Sequence, residues 1–264
     1  MKYFFIFAIL FSATSGYSQF TTTMKVDHSK NVGDSFEIYV SLPVGYGPGE
    51  FYNVVYYCDA NLRSGKKLRK LFTAGDNDKL RKSIFVGIGH IGSYHSRRRR
   101  DFTLPHIHRN DTSGRHKMQG QIEKFYSYMK TELIPSINRD FKTNTDSNSI
   151  LGHSLGGLFA FYCLFKCDIL FLKYFALSPS LWVGKYSIYQ FNRINGGFPA
   201  MQEIYFTSGS REKINKILKG TNRAKRFFDR KNYNNLNYDY EIWKHRTHSS
   251  SVTPTLKKIL KEKL

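Results

Sequence analysis

The chain has 264 residues, of which 41% are hydrophobic and 16% aromatic. This is enough apolar material for one large core, and the absence of internal repeats and low-complexity blocks excludes a solenoid. The formal net charge of +21 favours anionic partners or a basic soluble surface. The only tight basic run, Arg97–Arg100, has no accompanying zinc-finger, RNP-like or helix-turn-helix pattern, so nucleic acid is not the predicted partner.

The N-terminus has the layout of a secretory signal. Lys2 precedes an apolar run from Tyr3 to Phe11 that is too short to span a bilayer. We predict cleavage after Ser18, which leaves Gln19 first and residues 19–264 as a single domain. The mature protein is then periplasmic or secreted, without stable membrane insertion. An uncleaved amphipathic anchor is the alternative.

Seven stretches rich in β-branched and aromatic residues predict strands. In chain order they are Phe36–Leu42, Val54–Cys58, Ile84–Gly89, Ser149–Leu151, Tyr174–Leu177, Ile204–Thr207 and Tyr238–Trp243. Between Gln121 and Asn138 apolar residues recur at intervals of three and four positions, which predicts a helix. Alternating strands and helices indicate an α/β fold with a mostly parallel sheet and an active face at the carboxyl ends of the strands.

The segment Ser149–Gly157 reads S-I-L-G-H-S-L-G-G, a strand that runs into a helix through G-x-S-x-G. This pattern is typical of a nucleophile elbow, in which glycines at 152 and 156 permit a strained turn around Ser154. The Leu155 amide, at the start of the helix, is predicted to bind a developing oxyanion. A plain glycine-rich turn is the alternative.

A serine hydroxyl needs a base, which in such folds follows the last strand. His248 lies on that loop and is the predicted base, with His245 as the alternative. His153, beside the nucleophile, is predicted to pack against the sheet or to line the pocket.

The acid is expected after the penultimate strand, where Glu212 is the only carboxylate on the loop. The alternatives are a surface glutamate paired with Arg211 or Lys213, or a Ser–His dyad without an acid. The second oxyanion donor is predicted to be the amide of Ala60, or next to it Asn61, unless this segment is only a turn.

The three cysteines, Cys58, Cys163 and Cys167, are an odd number for an exported protein. We predict that they are small core residues. The sequence has no ligand spacing that indicates a metal site, and no cofactor is expected.

Several motifs together resemble the putative-esterase family of α/β hydrolases, which includes esterase D, enterobactin-type siderophore esterases and feruloyl esterases. Besides the elbow they are V-V-Y-Y-C-D-A from Val54, F-V-G-I-G from Phe85, R-D-F-T-L-P from Arg100, E-L-I-P from Glu132, S-P-S-L-W from Ser178 and T-H-S-S-S-V around His248. The resemblance implies the α/β-hydrolase fold, with Ser154 and His248 catalytic and an acid near Glu212. Relatives usually have glycine where this chain has Ala60.

Arg97, Arg98 and Arg99 follow the predicted strand that ends at Gly89, so they are expected on the active face, where they would attract an anionic substrate. The resemblance implies that the next two residues, Arg100 and Asp101, have a structural role and support the active-site loop.

These observations predict an exported serine esterase that acts on a siderophore-like or other anionic ester. A carbohydrate ester is the alternative substrate. An acyltransferase, which uses the same triad, is an alternative function. A non-catalytic binding module is a further alternative, but it has no need to keep serine, acid and histidine in this order.

Overall fold

The computed structural model describes residues 19–47, 49–75, 77–105, 120–212 and 216–264. The predicted signal, residues 1–18, lies outside the described residues. The strands are β1 Phe20–Ser29, β2 Asp34–Pro43, β3 Tyr52–Cys58, β4 Ser83–His90, β5 Thr143–His153, β6 Lys173–Leu177, β7 Gly197–Gly209 and β8 Asn234–Trp243. They form one sheet in the order β1-β2-β4-β3-β5-β6-β7-β8.

Strand β2 pairs antiparallel with both β1 and β4, and every other neighbouring pair is parallel. The predicted mostly parallel α/β sheet is therefore confirmed. Strand β1 is the one that the sequence did not predict. Its residues between Phe20 and Ser29 are exposed or half-buried, so the strand has no continuous apolar face for a pattern to reveal.

Helices cover both faces of the sheet. They are α1 Arg63–Thr73, α2 Asp78–Arg81, α3 Tyr94–Phe102, α4 Ile122–Tyr128, α5 Ile134–Asp140, α6 Leu155–Lys166, α7 Ile217–Lys231 and α8 Val252–Lys258. The π-helical turn Met129–Leu133 joins α4 to α5, so the helix predicted over Gln121–Asn138 is present with an irregular middle. Helices α1 and α8 share a hydrophobic cluster on one face, and α3, α4, α6 and α7 contribute to the larger cluster on the other.

The central strands have apolar residues on both sides because both sides are covered. Every residue of β4 is buried, and Phe85 stacks on Phe72 of α1 with ring centroids 4.1 Å apart. Within the described ranges, no helix combines the length and apolar composition that crossing a bilayer requires. The parallel strands end at one edge, where their connecting loops meet and form the site.

Candidate active site

Ser154 lies in a sharp turn between β5 and α6. Its φ of 62° and ψ of −113° are outside the regions that a non-glycine residue prefers. The backbone is held by two hydrogen bonds of 2.9 Å, from the Ser154 amide to the Leu177 carbonyl and from the Ser180 amide to the Ser154 carbonyl. The surrounding strands therefore maintain the strained conformation of the elbow.

Small residues frame this turn because there is no room for a side chain. A Cβ on Gly152 would lie 2.2 Å from the Gly156 carbonyl carbon, and one on Gly156 would lie 3.0 Å from Cβ of Cys58. The elbow therefore packs directly against the end of β3.

His248 and Glu212 form a hydrogen-bonded pair. The distance from His248 Nδ1 to Glu212 Oε2 is 2.7 Å, and since an ionised carboxylate only accepts, Nδ1 is the protonated nitrogen. The other ring nitrogen, Nε2, is then free to accept a proton. The alternative base, His245, is exposed and its amide donates to Ser210 Oγ.

Glu212 is only 2% exposed, so it is not the surface glutamate that the sequence left as an alternative. Its Oε1 accepts three hydrogen bonds, from the Gly209 amide at 2.5 Å, the Ser178 hydroxyl at 2.8 Å and the Ser251 hydroxyl at 3.3 Å. Four donors, including His248, thus surround one buried carboxylate, so both of its oxygens have hydrogen-bond partners. Ser178 and Ser251 were not predicted as site residues, although both lie in the family-like segments S-P-S-L-W from Ser178 and T-H-S-S-S-V around His248.

The Ser154 hydroxyl contacts a second serine. Its Oγ lies 3.1 Å from Oγ of Ser180, which is 4% exposed. Among the described residues, no hydrogen bond joins Ser154 to His248. Such bonds are often long before substrate binds, and a rotation about the Ser154 Cα–Cβ bond redirects the hydroxyl.

The oxyanion donors follow from which amides are free. Leu155 opens α6, and its amide has no partner in the part of the chain that the structure describes. The prediction for Ala60 is corrected, because its amide donates to the Ile88 carbonyl at 3.0 Å and so extends the β3–β4 pairing. The amide of Asn61, the alternative, has no partner among the described residues and is the better candidate.

The three predicted arginines have different environments. Arg98 donates to both carboxylate oxygens of the buried Asp59, at 2.6 and 2.9 Å, and to the His153 carbonyl at 3.2 Å. Arg98 thereby ties the turn after β3 to the elbow. Arg97 pairs instead with Asp34 at 3.3 Å, and Arg99 is exposed. The structure thus brings only Arg98 to the site, where its charge is balanced by Asp59.

The neighbouring Arg100–Asp101 pair supports the loop, as the family resemblance implied. Asp101 is fully buried, accepts from Arg100 Nε at 2.6 Å and lies 3.0 Å from His90 Nε2. Arg100 also donates to Asp34 at 2.9 Å. This network connects α3 to β2 and β4.

Of the cysteines, Cys58 and Cys163 are buried and Cys167 is half-buried. Burial raises the pKa of the Cys58 and Cys163 thiols. Within the described residues, no three histidine, cysteine or acidic side chains are grouped as metal ligands would be.

His153 packs against the base. Its ring centroid is 4.5 Å from that of His248, and its Nε2 lies 3.1 Å from the His248 carbonyl, which can only accept. Desolvation and then the nearby His248 lower the pKa of His153 from 6.5 to about 3. His153 is therefore neutral, donates from Nε2, and holds the backbone of the base in position.

This depressed pKa makes stability depend on pH. The unfolded chain takes up a proton at His153 as the pH falls below 6.5 while the folded chain does not until about pH 3. The free energy of unfolding therefore falls as the pH is lowered through that window, by up to about 1.4 kcal/mol per pH unit from this group.

We expect His153→Gln, which keeps an N–H donor, to reduce this dependence of the unfolding free energy on pH, measured by urea unfolding at pH 4, 5, 6 and 7. His28→Gln removes an exposed imidazole as the control, and equal slopes in the parent and His153→Gln would contradict the assignment.

A cavity of about 250 Å³ opens beside the elbow. It is lined by Asp59, Leu62, Arg63, Ser64, Lys67, Tyr94, Arg98, His153, Ser249 and Val252. Arg63 and Lys67 come from one face of α1 and have no ion-pair partner among the described residues. No acidic residue lies in the first turn of α1, so the positive end of its dipole adds to their charge.

The sequence matches the family described as Putative esterase over residues 29–252. Over 169 residues it is 31% identical to the Ferri-bacillibactin esterase BesA of Bacillus subtilis, a match covering 61% of this chain and 58% of that protein. It is 28% identical over 169 residues to the Siderophore enterobactin esterase of Emericella nidulans, covering 58% of this chain and 56% of that protein. The match thus spans less than two thirds of either relative.

The fold agrees with a solved structure over nearly the whole chain. The crystal structure of the BES protein from Bacillus cereus has a TM-score of 0.79 at 24% identity, covering 95% of this chain and 97% of that one. The predicted α/β-hydrolase fold is therefore confirmed.

Proposed function

The chain belongs to the Putative esterase family, and on this premise we propose that it hydrolyses a siderophore-type, anionic carboxylic ester with Ser154 as nucleophile. The observation that carries the proposal is the His248 ring, held by the buried Glu212 and packed against the residue beside Ser154. In this proposal Ser154, His248 and Glu212 act as the Ser–His–acid triad of acyl transfer, and the Ser154 hydroxyl turns from Ser180 to His248 when substrate binds.

The reaction has two steps. Ser154 Oγ attacks the ester carbonyl carbon while His248 Nε2 takes the hydroxyl proton, and the Leu155 and Asn61 amides stabilise the oxyanion. His248 then returns the proton to the departing alkoxide. Water, deprotonated by His248 in turn, releases the acyl group and restores the serine.

The cavity supports an anionic substrate. Asp59 neutralises Arg98, so Arg63 and Lys67, which have no ion-pair partner in the described part of the chain, set the sign of the local field. A volume of about 250 Å³ is smaller than the pockets that enclose drug-sized ligands, so it suits one acidic arm of a larger ester. The two relatives named for siderophore esters agree with this choice.

Charge selectivity tests the substrate assignment. We expect Arg63→Ala/Lys67→Ala to lower kcat/KM about tenfold for the monoanionic p-nitrophenyl hemisuccinate, because about 1.4 kcal/mol of attraction to the two cations is lost. Hydrolysis of the neutral p-nitrophenyl butyrate should change less than twofold.

Lys66→Ala/Lys70→Ala is the matched control, since both lysines are exposed on the same helix and do not line the cavity. An equal effect of the two double variants on the anionic ester would reject the role of Arg63 and Lys67. Ferric and iron-free catecholate esters, assayed with the same variants, then test the siderophore class directly.

We propose in addition that the enzyme is exported, on the strength of Lys2 and the apolar run Tyr3–Phe11. N-terminal sequencing of the protein recovered outside the cytoplasm should begin at Gln19. Recovery of the intact chain from the cytoplasm alone would contradict export.

A further inference from the structure

Helix α7 carries a row of cations that the catalytic site does not use. The row contains Lys219, Arg223, Arg226 and Arg230, which are separated by four, three and four positions. Lys216, at the N-cap, lies three positions before Lys219 and continues the row. This spacing places them on one helix face, about 21 Å long at 1.5 Å per residue. We call these five residues the α7 basic stripe.

The α7 basic stripe is exposed and uncompensated. All five side chains are exposed, and none has an ion pair among the described residues. The single carboxylate of α7, Asp229, lies to one side, where Lys225 neutralises it at 2.6 Å. A face with no alternating negative charges attracts an extended array of anions.

Packing fixes the helix that carries the stripe. The opposite side of α7 is buried in the core through Ile217, Gly220, Thr221, Ala224, Phe227 and Phe228. Within the stripe, the Arg223 guanidinium lies 4.6 Å from the ring centroid of Tyr186 and 5.3 Å from that of Tyr189. The cations are thus presented on a fixed surface.

We infer that the α7 basic stripe adsorbs the protein on an anionic lipid surface. A straight, outward-facing row fits a flat layer of anionic headgroups. Nucleic acid is the less favoured partner, because the sequence has no zinc-finger, RNP-like or helix-turn-helix pattern that would place a helix in a groove. No apolar side chain belongs to the stripe. Binding is therefore electrostatic, without insertion, and weakens with salt. This inference is independent of the proposed esterase activity.

Vesicle co-sedimentation of the full chain tests it. Vesicles of phosphatidylcholine with 30% phosphatidylglycerol should bind the protein at 50 mM salt, whereas pure phosphatidylcholine should not. Lys219→Ala/Arg226→Ala/Arg230→Ala should weaken this binding about a hundredfold, given about 1 kcal/mol per cation at an anionic surface. Arg223 is left intact because it packs on two tyrosines.

The control triple variant is Lys82→Ala/Lys142→Ala/Lys257→Ala, which removes the same charge from exposed lysines elsewhere in the fold that have no ion pair within the described ranges. It should bind within twofold of the parent. The predicted N-terminal leader is present in every variant, so it does not affect the comparison between them. An equal loss in both triple variants would assign binding to net charge alone and overturn the inference. Displacement by an oligonucleotide at equal phosphate concentration would overturn it in favour of nucleic acid. Both variants should hydrolyse a soluble ester like the parent, so this result is separable from the esterase assignment.

Discussion

Replacing Ser154 with alanine is expected to lower kcat by about a million-fold, because removal of the nucleophile leaves only binding and oxyanion stabilisation. The same variant should lose labelling by a fluorophosphonate, which reacts only with an activated hydroxyl. Hydrolysis of p-nitrophenyl butyrate and mass spectrometry of the labelled protein measure the two effects.

The fold should tolerate this change. The turn is held by backbone hydrogen bonds to Leu177 and Ser180, and among the described residues the Ser154 side chain hydrogen-bonds only to the Ser180 hydroxyl. Loss of that contact costs about 1 kcal/mol, which a urea titration detects. Ser180→Ala is the control, since it removes the partner hydroxyl and keeps the nucleophile, so it should still be labelled. Substantial labelling of Ser154→Ala would refute the proposed mechanism.

The parts of the fold that the sequence predicts best are those where burial is continuous. Strands β3 and β4 were predicted to within two residues, because both faces of each are covered and their runs are apolar. Strands β5 and β7 extend beyond the predicted segments through residues of mixed burial that form no continuous apolar run. Strand β1 was missed for the same reason.

In the site, the identity of the candidate residues could be predicted from the sequence, but their orientation could not. Ser154, Glu212 and His248 could be nominated from the sequence because each occupies a fixed place relative to a strand in chain order. Orientation was not predictable, since the direction of the Ala60 amide and the choice of Asp59 as partner for Arg98 depend on how distant strands pair. The sequence does not distinguish Arg97, Arg98 and Arg100, which form ion pairs, from Arg63 and Lys67, which have no ion-pair partner among the described residues.

The second large effect is expected at the acid, where Glu212→Gln should lower kcat about ten-thousandfold. The carboxylate receives three donors at Oε1 and the His248 N–H at Oε2. A carboxamide has a single acceptor oxygen. If that oxygen takes the position of Oε1, its NH₂ group faces His248 Nδ1, and the imidazole must carry its proton on Nε2. That tautomer cannot accept the proton of Ser154.

The reverse orientation of the carboxamide is the less stable one. Its NH₂ group would oppose the Gly209 amide and the Ser178 hydroxyl, which leaves buried donors without acceptors at about 1 to 3 kcal/mol each. Glu241→Gln is the matched control, because Glu241 is a half-buried glutamate that binds Tyr205 and Lys258 away from the elbow, and activity should stay within twofold. Steady-state kinetics with p-nitrophenyl butyrate measures both variants. Activity of Glu212→Gln within tenfold of the parent would mean that Ser154 and His248 work as a dyad and that the buried carboxylate only stabilises the loop.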